Sequence, residues 1–168
     1  MADIDTALEA SKEAIEGLIA TGERCGPAWT APCAHGKWSP SQIIEHVARA
    51  LEESANMAAG RPSKFPRLPA VIHPLLRGFL FTRVLRKGAF PKAKTNKAMN
   101  PVSGPATAAE GRARLETAHD AFDAACRRLA AHGEPMRTTI FGAVAVGDYV
   151  RFMELHTRHH GKQIADRQ

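Results

Sequence analysis

The chain has 168 residues and is poor in sulfur and in aromatic rings. Its three cysteines, Cys25, Cys33 and Cys126, cannot all pair, and the eight-residue step from Cys25 to Cys33 is not the spacing of a zinc-binding thiol pair. A disulfide scaffold is excluded, and a reducing, cytoplasmic setting is expected. Aromatic residues make up only 6%, and no helix-turn-helix, zinc-finger or RNA-binding signature occurs, so nucleic acid is disfavoured as a partner. The most apolar stretch, residues 71–81, is too short to span a bilayer and carries Arg77. The opening residues, MADIDTALEASKEAIEG, are acidic and polar and do not read as a secretion signal. Acid is the last thing missing, and only regionally: no Asp or Glu occurs between Glu53 and Glu110.

That acid-free segment holds ten bases: Arg61, Lys64, Arg67, Arg77, Arg83, Arg86, Lys87, Lys92, Lys94 and Lys97. Seven of the 11 prolines fall between Arg61 and Pro105. The remainder of the chain carries 13 bases against 17 acids, so the net charge of +6 arises in this one segment. It reads either as a solvated connection or as a site for an anionic ligand.

What the chain has in quantity is alanine, 30 residues, which suits closely packed helices. Apolar residues at three- and four-residue spacing mark four long helices. The first covers about 5–20, with Leu8, Ser11, Ile15, Leu18 and Ile19 on one face. The second opens with Ser39 as N-cap, Pro40 at the first helical position and Gln42 three residues on, and runs to about Ala58. The third covers about 106–131, with Leu115, Phe122, Cys126 and Leu129 as its stripe. The fourth begins near Asp148, read as an N-cap, and carries Tyr149, Phe152, Met153, Leu155 and Ile164. A weaker helix over 73–87 sits inside the basic segment. Residues 138–146 are β-branched, but a lone strand has nothing to pair with, so they read as a loop. The expected fold is all-α: a single domain over residues 1–168, a four-helix bundle with a long basic, Pro-rich crossover, about 60–105, between helices two and three.

Three of eight histidines fall within five residues, at His156, His159 and His160. Positions i and i+4 share a helix face, so His156 and His160 can address one ion. Phe152, His156, His160 and Ile164 form one stripe, which puts the pair among core positions. Two imidazoles placed in an apolar core need partners, and a divalent metal serves both. A third ligand is then required. His46 lies on the buried stripe of the second helix; His119 has similar credentials on the third, and periodicity does not choose between them. His35, His73 and His132 occupy loop or helix-end positions.

Two segments carry a family resemblance. Trp38-Ser39-Pro40-Ser41-Gln42-Ile43-Ile44-Glu45-His46-Val47 resembles the second-helix signature of the DinB/YfiT-like superfamily of metal-binding four-helix proteins. His156-Thr157-Arg158-His159-His160-Gly161-Lys162-Gln163-Ile164 resembles its last-helix signature, H-x-x-H-H-x-x-Q. Asn100-Pro101-Val102-Ser103-Gly104-Pro105 and the basic loop before it are closer to an uncharacterised branch. The resemblance implies a three-histidine metal site at His46, His156 and His160, with His159 as a candidate outer residue; Glu45, beside His46 in sequence, is a second candidate. It implies a divalent metal, zinc or nickel, and frequent dimers. It also implies, for some members, transferase or isomerase chemistry with low-molecular-weight thiols such as mycothiol or bacillithiol.

Three functions follow as expectations. The leading one is a metal-dependent transferase or hydrolase at the three-histidine site, acting as a homodimer on a small molecule, an anionic one being suited by the basic segment. The second is a non-catalytic metal- or partner-binding module. The third, weaker, is a basic peripheral membrane binder through residues 71–86, with a membrane disfavoured overall. Glu45 and Glu154, beside ligands in sequence, read as surface residues. Cys126 reads as core, and Trp38 as a staple packed before the second helix.

Overall fold

In the computed structural model, residues 3–32, 34–91 and 97–165 are described; Cys33, Lys92 and Lys94 lie outside them. Four long helices make the bundle: α1 (Ile4–Glu23), α2 (Pro40–Ala58), α5 (Ala108–Ala131) and α6 (Val146–Ala165). The short helices α3 (His73–Leu76) and α4 (Thr82–Lys87), with a π-helical turn over Arg77–Phe81 between them, lie in the crossover. Helix α1 packs chiefly on α6, and α2 on α5.

The helix starts follow from side chains that satisfy orphan backbone donors. Asp3 accepts from the amide of Thr6 at the head of α1. Ser39 and Gln42 form a reciprocal capping box on α2 with Pro40 in the first turn, and Thr107 and Glu110 form another on α5. Each such cap contributes about 1 kcal/mol. The last helix starts earlier than its sequence suggests. Tyr149 donates its amide to Ala145, so Asp148 is not the N-cap but stands in the first turn, where its charge suits the helix dipole.

All four apolar stripes face inward. Leu8, Leu18, Ile19, Ile43, Ile44, Leu51, Leu115, Phe122 and Ile164 are fully buried, each such side chain contributing roughly 1.5–3 kcal/mol of transfer free energy. Cys126 is buried among them, and burial pushes its thiol pKa up to about 12, which makes it an inert apolar filler. Trp29, 5% exposed, wedges between α1, α2 and α5. Its indole occupies the space where a side chain on Gly22 or Gly111 would stand, since a Cβ there would fall 2.9 and 2.7 Å from the ring.

Residues 138–146 are not a loop. Met136–Thr138 (β1) and Gly142–Val144 (β2) form an antiparallel hairpin, with Met136 opposite Val144 and Thr138 opposite Gly142. The partner strand lies immediately upstream and is only three residues long, too short for alternation to reveal it. The hairpin closes through the Thr138 hydroxyl, which accepts from the amide of Phe141 at 2.8 Å. Leu68 of the crossover donates its amide to the Thr139 carbonyl, tying the basic segment to the hairpin.

Candidate metal centre

His46 is on α2, and His156 and His160 are one turn apart on α6. One ligand nitrogen from each lies within 4.8 Å of the other two. His156 Nε2 is 3.4 Å from His46 Nε2 and 3.2 Å from His160 Nε2. His46 and His160 are buried, and His156 is half-buried. The three histidines read from the sequence therefore stand together, positioned to bind a metal ion.

The outer nitrogens decide what the inner ones offer. His46 Nδ1 donates to the Met99 carbonyl at 2.8 Å; a carbonyl only accepts, so in the neutral ring Nε2 carries the lone pair. His160 Nδ1 donates to Gln163 Oε1 at 3.0 Å, which leaves His160 Nε2 bare as well. The amide nitrogen of Gln163 in turn donates to His159 Nε2 at 3.0 Å. Two lone pairs thus face His156 Nε2, and one proton on that nitrogen can serve only one of them. A cation satisfies all three. Tetrahedral coordination at about 2.0–2.1 Å per Zn–N bond requires nitrogens about 3.3–3.4 Å apart, close to the two distances from His156 Nε2. The donor set fits a divalent ion. His156 Nδ1 is buried and has no hydrogen-bond partner among the described residues, so no outer partner orients this ring as Met99 and Gln163 orient the other two.

Burial is the main force on the titrations. It pushes His160 down to about 3, helped by the neighbouring His46 and His159 and opposed by Gln163. It lowers His156 far below the ordinary imidazole value, with His160, His46 and His159 adding to the effect. His46 is lowered by burial, resisted by its bond to Met99 and pushed further by Arg49. All three rings are therefore neutral at pH 7, the form that ligates metal.

The surroundings complete the picture. Trp38 is not simply a staple ahead of α2. Its ring lies 4.9 Å from that of His46 and 6.3 Å from that of His160, and its Nε1 donates to Asn100 Oδ1. Phe90 meets His156 edge-on at 5.5 Å and His159 at 5.8 Å. Residues 99–105 are pinned over the start of α2: Gln42 donates to the Pro101 and Val102 carbonyls, while Ser41 and Trp29 both donate to that of Pro105. The crossover thus delivers Met99 to His46 and Phe90 to His156. Two grooves, one between α3, α4 and the hairpin and one at the C-terminal part of α2, lie away from the triad.

The remaining candidates stand elsewhere. His119 is buried on α5, its Nε2 without a hydrogen-bond partner among the described residues, and its nearest charges are Asp123, Asp120, Lys12 and Glu16 rather than the other histidines. The Glu45 carboxylate goes to Arg49 and Arg114 at 2.6 and 3.1 Å. Glu154 is no surface residue. It is 1% exposed and held by Arg151 and Arg158, one turn to either side. His35 and His132 are exposed, and His73 pairs with the Leu68 carbonyl. The sequence reading had Gln163 only as the last member of the H-x-x-H-H-x-x-Q motif and gave it no role, although its three-residue step from His160 was a usable signal for the contact. It also missed the Met99 carbonyl, which no side-chain pattern reveals.

No curated protein and no solved structure matches the chain significantly. The family model for the DinB superfamily matches residues 4–164, nearly the whole chain and including all three histidines. The helical bundle and the motif-bearing helices α2 and α6 agree with that match, and the chain belongs to the DinB superfamily.

Proposed function

We propose that the protein is a metal-dependent enzyme in which His46, His156 and His160 hold a zinc or nickel ion and a low-molecular-weight thiol or water is activated for transfer or hydrolysis. The observation that carries this reading is a donor set of three neutral imidazoles that no fourth His, Cys, Asp or Glu joins among the described residues. Structural zinc sites are closed by four protein ligands, whereas catalytic ones keep a position open. A bound divalent ion would supply a water or thiol deprotonated near neutral pH.

The chain's own residues do the positioning. Met99 and Gln163 fix the rotation of the His46 and His160 rings, and such partners also raise ligand basicity. Trp38 and Phe90 wall the triad with apolar rings. Exposed Lys87 lies three residues before Phe90 and exposed Lys97 two residues before Met99, which suits a small anionic substrate. A non-catalytic metal-binding module is the second reading, favoured by the burial of His46 and His160 and by the Trp38 and Phe90 rings packed against the triad.

Cobalt-loaded protein separates the two. Addition of a small monothiol is expected to produce a thiolate-to-cobalt absorption band that His156→Ala protein does not show. A cobalt spectrum indifferent to thiol and to competing anions indicates a closed site and supports the non-catalytic reading.

A further inference from the structure

The helical run over residues 70–87, a 3-10 turn at Ala70–Ile72 followed by α3, the π-helical turn and α4, carries two apolar faces. One is turned to the core: Phe81 and Val84 are buried, and Leu76, Leu80 and Leu85 pack against the bundle. The other is turned to solvent. Val71, Leu75 and Phe79, four residues apart, are 85%, 69% and 69% exposed. Isolated exposed apolar residues are ordinary, but three in register on one ridge are not. Arg77, Arg83, Arg86 and Lys87 lie along the same run, all exposed, and none forms an ion pair with an acid among the described residues. Arg77 donates to the Ala143 carbonyl and shares a groove with Asp148, whereas Arg83, Arg86 and Lys87 stand in a stretch with no acid between Glu53 and Glu110.

We infer that this ridge docks on an anionic lipid surface, with Val71, Leu75 and Phe79 entering the headgroup boundary and the flanking bases meeting lipid phosphates and carboxylates. Three features favour a bilayer over other occupants. The apolar residues protrude instead of lining a groove, which suits a soft, flat surface. A single-stranded nucleic acid is held by cations on its phosphates and by rings stacked on its bases, and of the three apolar residues here only Phe79 carries a ring. A second copy of the chain would bring the same bases face to face across a two-fold contact. A helix combining an apolar ridge with unneutralised Arg and Lys is the composition of an interfacial segment. No helix among the described residues is long and apolar enough to cross a membrane, so the association is peripheral.

The test is co-sedimentation of the full chain with phosphatidylcholine vesicles with and without phosphatidylserine, at low and high salt. The wild type is expected to pellet with the anionic vesicles only and to be released by salt. The double variant Leu75→Asp/Phe79→Asp is expected to lose at least about tenfold in partitioning, and each of Arg83→Ala and Arg86→Ala about fivefold. All these positions are exposed, so circular dichroism should show unchanged folding. Wild-type protein that stays in the supernatant with anionic vesicles at low salt overturns the inference. So does a Leu75→Asp/Phe79→Asp protein that still pellets. A wild-type dimer that this double variant converts to monomer, with no vesicle binding by either, assigns the ridge to a second copy instead.

Discussion

Acidification of the metal-free protein gives the most quantitative test of the buried triad. Each of His46, His156 and His160 has a folded pKa below its unfolded value of about 6.5. For such a group the unfolded chain binds the proton first. The contribution to stability is therefore fully present above about pH 6.5 and is lost as pH falls toward the folded pKa, about 3 for His160. Each neutral ring costs about 1 kcal/mol over the first pH unit below 6.5 and about 1.4 kcal/mol per unit after that, so His156 and His160 together cost about 2 kcal/mol between pH 6.5 and 5.5 and His46 adds to it. That is a large share of the roughly 5–15 kcal/mol that holds a domain of this size folded. Urea unfolding of chelator-treated protein at a series of pH values measures the slope. The account expects a steep fall below pH 6.5 that becomes shallower when His160 is replaced by Asn, and a displaced onset in the presence of zinc. A flat profile from pH 7 to 5, or one that His160→Asn leaves unchanged, refutes the claim that these rings are buried and neutral.

Other consequences concern the groups that hold the ligands. Gln163→Leu removes the acceptor of His160 Nδ1 and is expected to weaken metal affinity about 10–100-fold, read by competition with a chromogenic chelator, while the fold is retained. Gly104→Ala would set a Cβ 2.2 Å from the Ser41 carbonyl oxygen. The backbone must shift, so a loss of about 1–3 kcal/mol in urea unfolding is expected, together with weaker metal binding because Met99 sits five residues away on the same pinned segment. Ser39→Ala breaks the cap of the helix that carries His46 and is expected to cost about 1 kcal/mol, with metal stoichiometry unchanged.

Much of this architecture was readable from local chemistry. The Ser39-Pro40-Gln42 start announces a helix because it satisfies orphan amides within four residues; the Thr107-Glu110 pair does the same on α5 but went unread, and that helix was placed by its apolar stripe. The stripes on α1, α2, α5 and α6 are long enough for periodicity to orient them. The i, i+4 spacing of His156 and His160 put both on one face, and the family resemblance then favoured His46 over His119. What escaped the sequence depends on distant or very short partners. The hairpin rests on two three-residue strands. The Met99 carbonyl reaches His46 across 53 positions, and backbone atoms carry no residue-type signature. Trp38 was legible as a helix-start residue but not as a wall of the site, because its contact with His160 bridges two helices. Glu154 was misjudged since charge suggests solvent, although Arg151 and Arg158 at minus three and plus four already supplied its neutralising partners.

The central claim is that His46, His156 and His160 hold one divalent ion. Elemental analysis of tag-free protein, wild type beside His156→Ala, tests it most directly. The account predicts about one zinc or nickel per chain in the wild type and its loss in the variant. A wild type without metal even after incubation with zinc or nickel, or a His156→Ala protein that keeps its full complement, contradicts it.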